Sequence, residues 1–262
     1  MIANFFQSLE RESVAYLLIS GQATVLYGAA AFSEDVDLWI EPTQANVAAF
    51  LKALKAQNAR YYKLTPPLDQ TYLLRGHGFH FLVPDDPEFY LDVMGCPPRV
   101  PAFAPAMAEA NMIAAEWGKI PTIGIRHLVA LKMTQRLGDY PVIGQLVLRY
   151  LERTAEPSEA DCQWALRHVF TVEDLEELVA SHPATIEAGD TPAALKRYLE
   201  ALGRPNAVSV AARADVEAWL STRMQRARRA DRAYWAPVIA ELRDLRIAGG
   251  LMPEGQPVAA RL

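Results

Sequence analysis

The sequence has few of the features of secreted, disulfide-bonded or zinc-cluster proteins. Its 262 residues include only two cysteines, Cys96 and Cys162, too few for a disulfide framework or a zinc cluster. Sparse cysteine is typical of proteins from a reducing compartment. Residues 1–13 contain charged side chains and no apolar stretch of the signal-peptide kind. We therefore expect a cytoplasmic protein.

Long apolar segments and an excess of basic charge are also missing. The apolar run near the start, residues 14–19, is far shorter than the roughly 20 residues that cross a membrane as a helix. Lys and Arg number 26 against 31 Asp and Glu, which gives a formal net charge of −5. This balance argues against a protein that depends on bulk nucleic-acid affinity. Hydrophobic residues make up 51% of the chain, so it can bury a sizeable core.

The first part of the chain predicts a small α/β core with a mixed sheet at residues 1–100. Short apolar or alternating segments bounded by turn residues predict the strands, and Thr43 is a candidate cap for a helix over residues 43–58. A short helix is expected at residues 22–31, between the first two strands. The expected strand segments are 14–19, 35–40, 61–64, 72–74, 79–83 and 89–94.

The rest of the chain predicts a mostly helical domain over residues 101–248. From Ile125 onward the pattern is helical, and Ser158, Thr171 and Thr191 stand where helix caps belong. Residues 249–262 contain two adjacent glycines and two prolines and predict a flexible tail. The fold class is thus α/β (α+β), with a mixed sheet followed by a helical domain.

Three aspartates carry the chemistry that the sequence suggests. Asp35 and Asp37 lie two residues apart on a predicted strand, so alternation places both side chains on one face. Asp92 interrupts a second apolar strand, where a charged residue requires a reason. Clustered carboxylates favour a hard cation such as Mg²⁺ or Mn²⁺. The alternative is that these are ordinary charges on a solvated face, as most Asp-x-Asp pairs are.

A phosphate-binding turn is expected just upstream. Ser20 and Gly21 end the first predicted strand and open the following helix, where backbone N–H groups can approach a phosphate. A carboxylate-bound cation beside a phosphate cradle suits transfer from a nucleoside triphosphate.

The order of these motifs resembles the minimal nucleotidyltransferase superfamily. In that family a strand ends in Gly-Gly or Gly-Ser, a helix follows, and then Thr-x-Asp-x-Asp. Residues 16–28 and 33–40 here are similar to that pattern, with Ser20 in place of the first glycine. Residues 127–132, His-Leu-Val-Ala-Leu-Lys, resemble the family's Leu-x-Ala-Leu-Lys helix. The chain also resembles nucleotidyltransferase-like toxins of abortive-infection toxin–antitoxin systems.

The resemblance implies a Mg²⁺-dependent (or Mn²⁺-dependent) transferase that moves a nucleoside monophosphate from ATP or another nucleoside triphosphate to an acceptor. Carried over by position, Asp35 and Asp37 are metal ligands, and Ser20-Gly21 grips phosphates. Asp92 is the third carboxylate, and it is the candidate base that activates the acceptor or a ligand of a second metal ion. Lys132 supplies positive charge toward phosphates. The acceptor could be a protein, an RNA or a small molecule.

Two other functions remain open on the sequence alone. A nucleotidyltransferase fold that has lost turnover could act as an interaction protein, such as a toxin–antitoxin component with a small protein partner. The arginine-rich segment at residues 223–232 could bind RNA, although a solvated helix face explains it more simply. His77 and His80 are read as ordinary residues of a β-hairpin.

Overall fold

A computed structural model of the chain describes residues 2–84, 88–183, 193–201 and 207–261. Seven strands form one mixed sheet in the order β3-β4-β5-β2-β1-β7-β6. The strands are β1 (Tyr16–Ile19), β2 (Val36–Ile40), β3 (Arg60–Tyr61), β4 (Gly78–Val83), β5 (Phe89–Met94), β6 (Asn111–Ala115) and β7 (Gly118–Thr122). Strand β2 runs antiparallel to β1 and parallel to β5, and β4 runs antiparallel to β5.

Eleven α-helices are found in the described residues. They are α1 (Ile2–Arg11), α2 (Ser20–Leu26), α3 (Gln44–Ala56), α4 (Gln70–Leu74), α5 (Phe103–Ala108), α6 (Ile125–Lys132), α7 (Asp139–Arg153), α8 (Glu159–His168), α9 (Val172–Ser181), α10 (Ala193–Ala201) and α11 (Ala207–Ile247). A 3₁₀ helix follows at Val258–Arg261. The expected mixed α/β sheet with a helical C-terminal region is confirmed. None of the helices in the described ranges is long and apolar enough to span a membrane.

One face of the sheet is covered by α1 and α3. Alternation along β4 and β5 places Phe81 and Phe89 on this face, fully or almost fully buried. Phe5 of α1 packs edge-on against Phe89 at 5.7 Å, and Phe50 of α3 packs against Phe81 at 6.5 Å. The opposite side chains of these strands are half-buried or exposed. The apolar packing on one side therefore fixes which residues the other side presents.

The chain divides into two compact units, residues 1–131 with 234–262 and residues 132–233. Strands β6 and β7 extend the sheet to residue 122, beyond the boundary expected near residue 100. In the second unit, α7 packs against α8 and α9. Caps at Ser158 and Thr171 begin α8 and α9 as predicted. The predicted cap at Thr191 lies outside the described residues.

Two further local expectations are corrected. Residues 72–74 belong to helix α4, because the Asp69 side chain caps it by accepting a hydrogen bond from the backbone N–H of Tyr72. The segment expected as a flexible tail is hydrogen-bonded to residues 59–65 within the first unit. There the N–H groups of Met252 and Val258 donate to the carbonyls of Thr65 and Ala59 at 2.8 and 3.0 Å.

Candidate active site

A row of side chains, which we call the aspartate row, crosses four neighbouring strands on the face of the sheet opposite α1 and α3. The registers pair Ile19 with Asp37, Asp37 with Asp92, and Asp92 with His80. Paired residues on adjacent strands project to the same face. The sequence predicts that the Asp-x-Asp pair of the second strand lies beside the aspartate of a later strand. The structure places Asp37 of that pair beside Asp92.

Asp37 is the electrostatic centre of this row. Its pKa is raised to about 7, first by burial and then by the negative charges of Asp92 and Asp35. Hydrogen bonds from the Gly21 backbone and the Ser20 side chain oppose the rise. Because both other carboxylates act on Asp37, the three aspartates form one electrostatic cluster. A cluster of like charges of this kind is an arrangement that a cation would relieve.

Ser20 and Gly21 lie against the carboxylate cluster, where the sequence placed them. A Cβ added at Gly21 would lie 2.1 Å from Ser33 Oγ and 4.0 Å from Asp37 Oδ2, so the close approach requires glycine. Ser20 has a left-handed backbone with φ of 55°, a conformation that glycine adopts at no steric cost. The hydrogen-bond donors assigned to phosphate bind Asp37 in the chain alone. Their role toward phosphate stays a prediction.

Asp92 has a partner that the sequence did not indicate. His80 Nδ1 lies 2.7 Å from Asp92 Oδ1, with the two side chains 28% and 31% exposed. This hydrogen bond lies on the side of Asp92 away from Asp37, because β5 separates β4 from β2. The sequence alone predicts an ordinary hairpin residue at position 80, and the contact with Asp92 goes beyond that expectation. The pattern that singles out Asp92, a polar residue inside an alternating apolar strand, also applies to His80 in β4 and could have identified it.

The carboxylate oxygens of the aspartates are suitable ligands for a hard cation such as Mg²⁺. Within the part of the chain that the structure describes, no group of three or more His, Cys, Asp or Glu side chains is placed to hold a metal ion. The carboxylates are instead satisfied by protein donors, Ser20 and Gly21 at Asp37 and His80 at Asp92. Mg²⁺ is usually held by only one or two carboxylates together with substrate phosphates and water. The aspartates fit such a shared site and not a preformed protein cage.

Lys132 belongs to the second unit, where its ammonium lies 3.5 Å from Asp139 Oδ1. Its expected contact with phosphates stays a prediction. In the arginine-rich segment, Arg223 donates to the carbonyls of Leu166 and Val169 at the end of α8, at 3.3 and 3.4 Å. Arg228 Nε donates to the Gln135 carbonyl at 2.8 Å. These two arginines therefore stabilise the helical unit itself.

No protein-family model and no curated protein sequence matches the chain. Among solved structures, it is similar to the solution structure of the antibiotic-resistance factor ANT(2″)-Ia, a nucleotidyltransferase. The match covers 71% of this chain and 91% of that chain, with 11% sequence identity and a TM-score of 0.37. A likeness this distant assigns no activity, so the functional argument depends on the aspartate row.

Proposed function

We propose that the chain is a metal-dependent nucleotidyltransferase that moves a nucleoside monophosphate from a nucleoside triphosphate to an acceptor hydroxyl and releases pyrophosphate. The observation that carries the proposal is the pairing of Asp37 with Asp92 on parallel strands, inside a cluster that raises the Asp37 pKa to about 7. Burying like charges together is costly, and apolar packing on the far face of the sheet does not require it. A site that binds a cation and phosphates accounts for the presence of this carboxylate cluster.

Each side chain has a role in this proposal. Asp35 and Asp37 hold Mg²⁺ or Mn²⁺, which when bound supplies positive charge to the transferring phosphate. Asp92 accepts the proton of the acceptor hydroxyl, and His80 fixes the orientation of the Asp92 carboxylate through the Oδ1 hydrogen bond. Ser20 and Gly21 lie beside Asp37, where their donors can bind phosphate oxygens.

The test is transfer of label from each nucleoside triphosphate, labelled at the α-phosphate, to acceptors in a cell lysate with Mg²⁺ or Mn²⁺. Wild type should produce a labelled acceptor, and Asp37→Asn should not. Glu34→Gln is the matched control, because it removes one negative charge from an exposed residue in the loop that precedes β2. The control should keep the transfer. Equal labelling by wild type and Asp37→Asn would contradict the proposal.

A second candidate is a nucleotide-binding interaction protein without turnover, such as a toxin–antitoxin component. It is favoured by the protein donors that already occupy the carboxylates of Asp37 and Asp92. The two candidates differ in one outcome. A chain that gains thermal stability with a nucleoside triphosphate and Mg²⁺, yet labels nothing in any lysate, is the interaction protein.

A further inference from the structure

Two tyrosines lie beside the aspartate row without belonging to the core. Tyr90 precedes Asp92 by two residues on β5, so both side chains project from the same face of the sheet. Tyr62 directly follows β3, and its backbone N–H donates to the His80 carbonyl at 2.9 Å. The two rings lie 4.8 Å apart at 32°. Tyr90 is 36% exposed, so the pair presents an aromatic surface to solvent.

Lys63 places a positive charge on this pair. Its Nζ atom lies 4.8 Å from the centre of the Tyr62 ring and 5.9 Å from that of Tyr90. The backbone of Lys63 is left-handed, with φ of 56°, an uncommon conformation for a lysine. We call Tyr62, Lys63 and Tyr90 the tyrosine platform.

We propose that the tyrosine platform binds the acceptor, and that the acceptor is a nucleotide, either free or at the end of an RNA chain. The inference rests on the proposed function, because it uses Asp92 as the group that receives the acceptor's proton. A nucleotide carries both a flat ring and an anionic phosphate. Aromatic side chains stack on the bases of nucleotides, and a neighbouring lysine attracts the phosphate.

The tyrosine platform and the proposed triphosphate contacts lie on different sides of the aspartate row. The platform lies on the β3–β5 side of the row, whereas Ser20 and Gly21 follow β1, on the other side of β2. An acceptor on the platform would therefore approach Asp92 from the side opposite the proposed triphosphate contacts. The charge of Lys63 also favours a phosphate-bearing acceptor over a polycationic one.

The platform can be tested without metal or turnover. Isothermal titration calorimetry in EDTA would compare AMP with ribose 5-phosphate, which has the phosphate and sugar but no base. AMP should bind at least about fivefold more tightly, because stacking on aromatic side chains favours the base. Tyr90→Leu should remove that difference, and the matched variant Tyr90→Phe should keep it. Circular dichroism would check that both variants are folded.

A third probe, a single-stranded RNA hexamer, distinguishes a free nucleotide from the end of an RNA chain as the acceptor. Tighter binding of the hexamer than of AMP supports the platform with an RNA end as acceptor. Equal binding supports it with a free nucleotide as acceptor. Equal affinities of wild type for AMP and ribose 5-phosphate, or no effect of Tyr90→Leu in a folded variant, would overturn the inference.

These measurements separate the inference from the proposed function. If the platform fails but nucleotide transfer depends on Asp37, the acceptor binds elsewhere and the enzyme assignment stands. If the platform binds AMP but no transfer occurs, the nucleotide site stands and the enzyme assignment fails.

Discussion

Asp37 and Asp92 are paired residues on the parallel strands β2 and β5, and the negative charge of Asp92 raises the pKa of Asp37. The pairing follows from strand register, which the apolar packing of the opposite face fixes. A shift of one residue in β5 would place Asp92 among the core phenylalanines and Leu91 beside Asp37. The carboxylate pair is therefore specified by the same residues that build the core.

The stability of the metal-free chain should depend on the ionisation of Asp37. Its pKa is about 7 in the folded chain against 3.8 for an unperturbed aspartate. The folded state holds the proton more tightly, so the free energy of unfolding should fall as pH rises from about 4 to about 7. Each pKa unit corresponds to about 1.4 kcal/mol. Asp37→Asn should lose most of this dependence and be more stable than wild type above pH 7.

Urea unfolding in EDTA across that pH range is the measurement. Glu34→Gln serves as the control, since an exposed neutralisation should leave the pH dependence of wild type intact. Identical pH profiles for wild type and Asp37→Asn would show that Asp37 ionises normally.

Neutralising Asp92 should lower the pKa of Asp37. Asp92 is the larger of the two charges that raise this pKa, and burial, the largest cause, is unchanged by Asp92→Asn. The Asp37 pKa in the variant should therefore lie below about 7 but above 3.8. Carboxyl ¹³C NMR titration of the metal-free chain measures it directly. A pKa that does not move would mean that the two carboxylates are not coupled.

The contact between Gly21 and Ser33 predicts a reciprocal pair of substitutions. Gly21→Ala places a Cβ 2.1 Å from Ser33 Oγ and 3.0 Å from Ser33 Cβ. Overpacking of this kind costs about 1–3 kcal/mol. Ser33→Gly removes both atoms, so the double variant should regain part of the stability that Gly21→Ala loses. Additive costs in a double-mutant cycle would contradict the close approach.

The C-terminal segment should contribute to stability. Val258 is 1% exposed, and its N–H donates to the carbonyl of Ala59. Val258→Ala should lower the free energy of unfolding by about 1–2 kcal/mol, whereas Glu254→Ala, at an exposed position of the same segment, should change it little. Chemical denaturation of both variants is the test. Equal effects would mean that the segment is not packed in solution.

Local sequence patterns predict the strands that carry the site residues. The features that these patterns do not predict depend on contacts between residues distant in the sequence. The strands that contain Asp37 and Asp92 were predictable because each aspartate lies between two buried apolar residues of its strand. Their pairing in register was not, since strand order depends on contacts between distant segments. The same holds for the tail, where Gly255 binds the backbone of Tyr61. His80 was missed because its meaning depends on Asp92, its partner across the sheet.

The most direct test of the central claim is thermal melting with Mg²⁺ and a nucleoside triphosphate, each alone and together. Because the aspartates fit a cation shared with phosphates, wild type and Glu34→Gln should melt clearly higher only with both ligands present. Asp37→Asn should gain little under the same conditions. If wild type gains nothing with any nucleoside triphosphate plus Mg²⁺ or Mn²⁺, or if Asp37→Asn gains as much as wild type, the aspartate row is not a metal–nucleotide site.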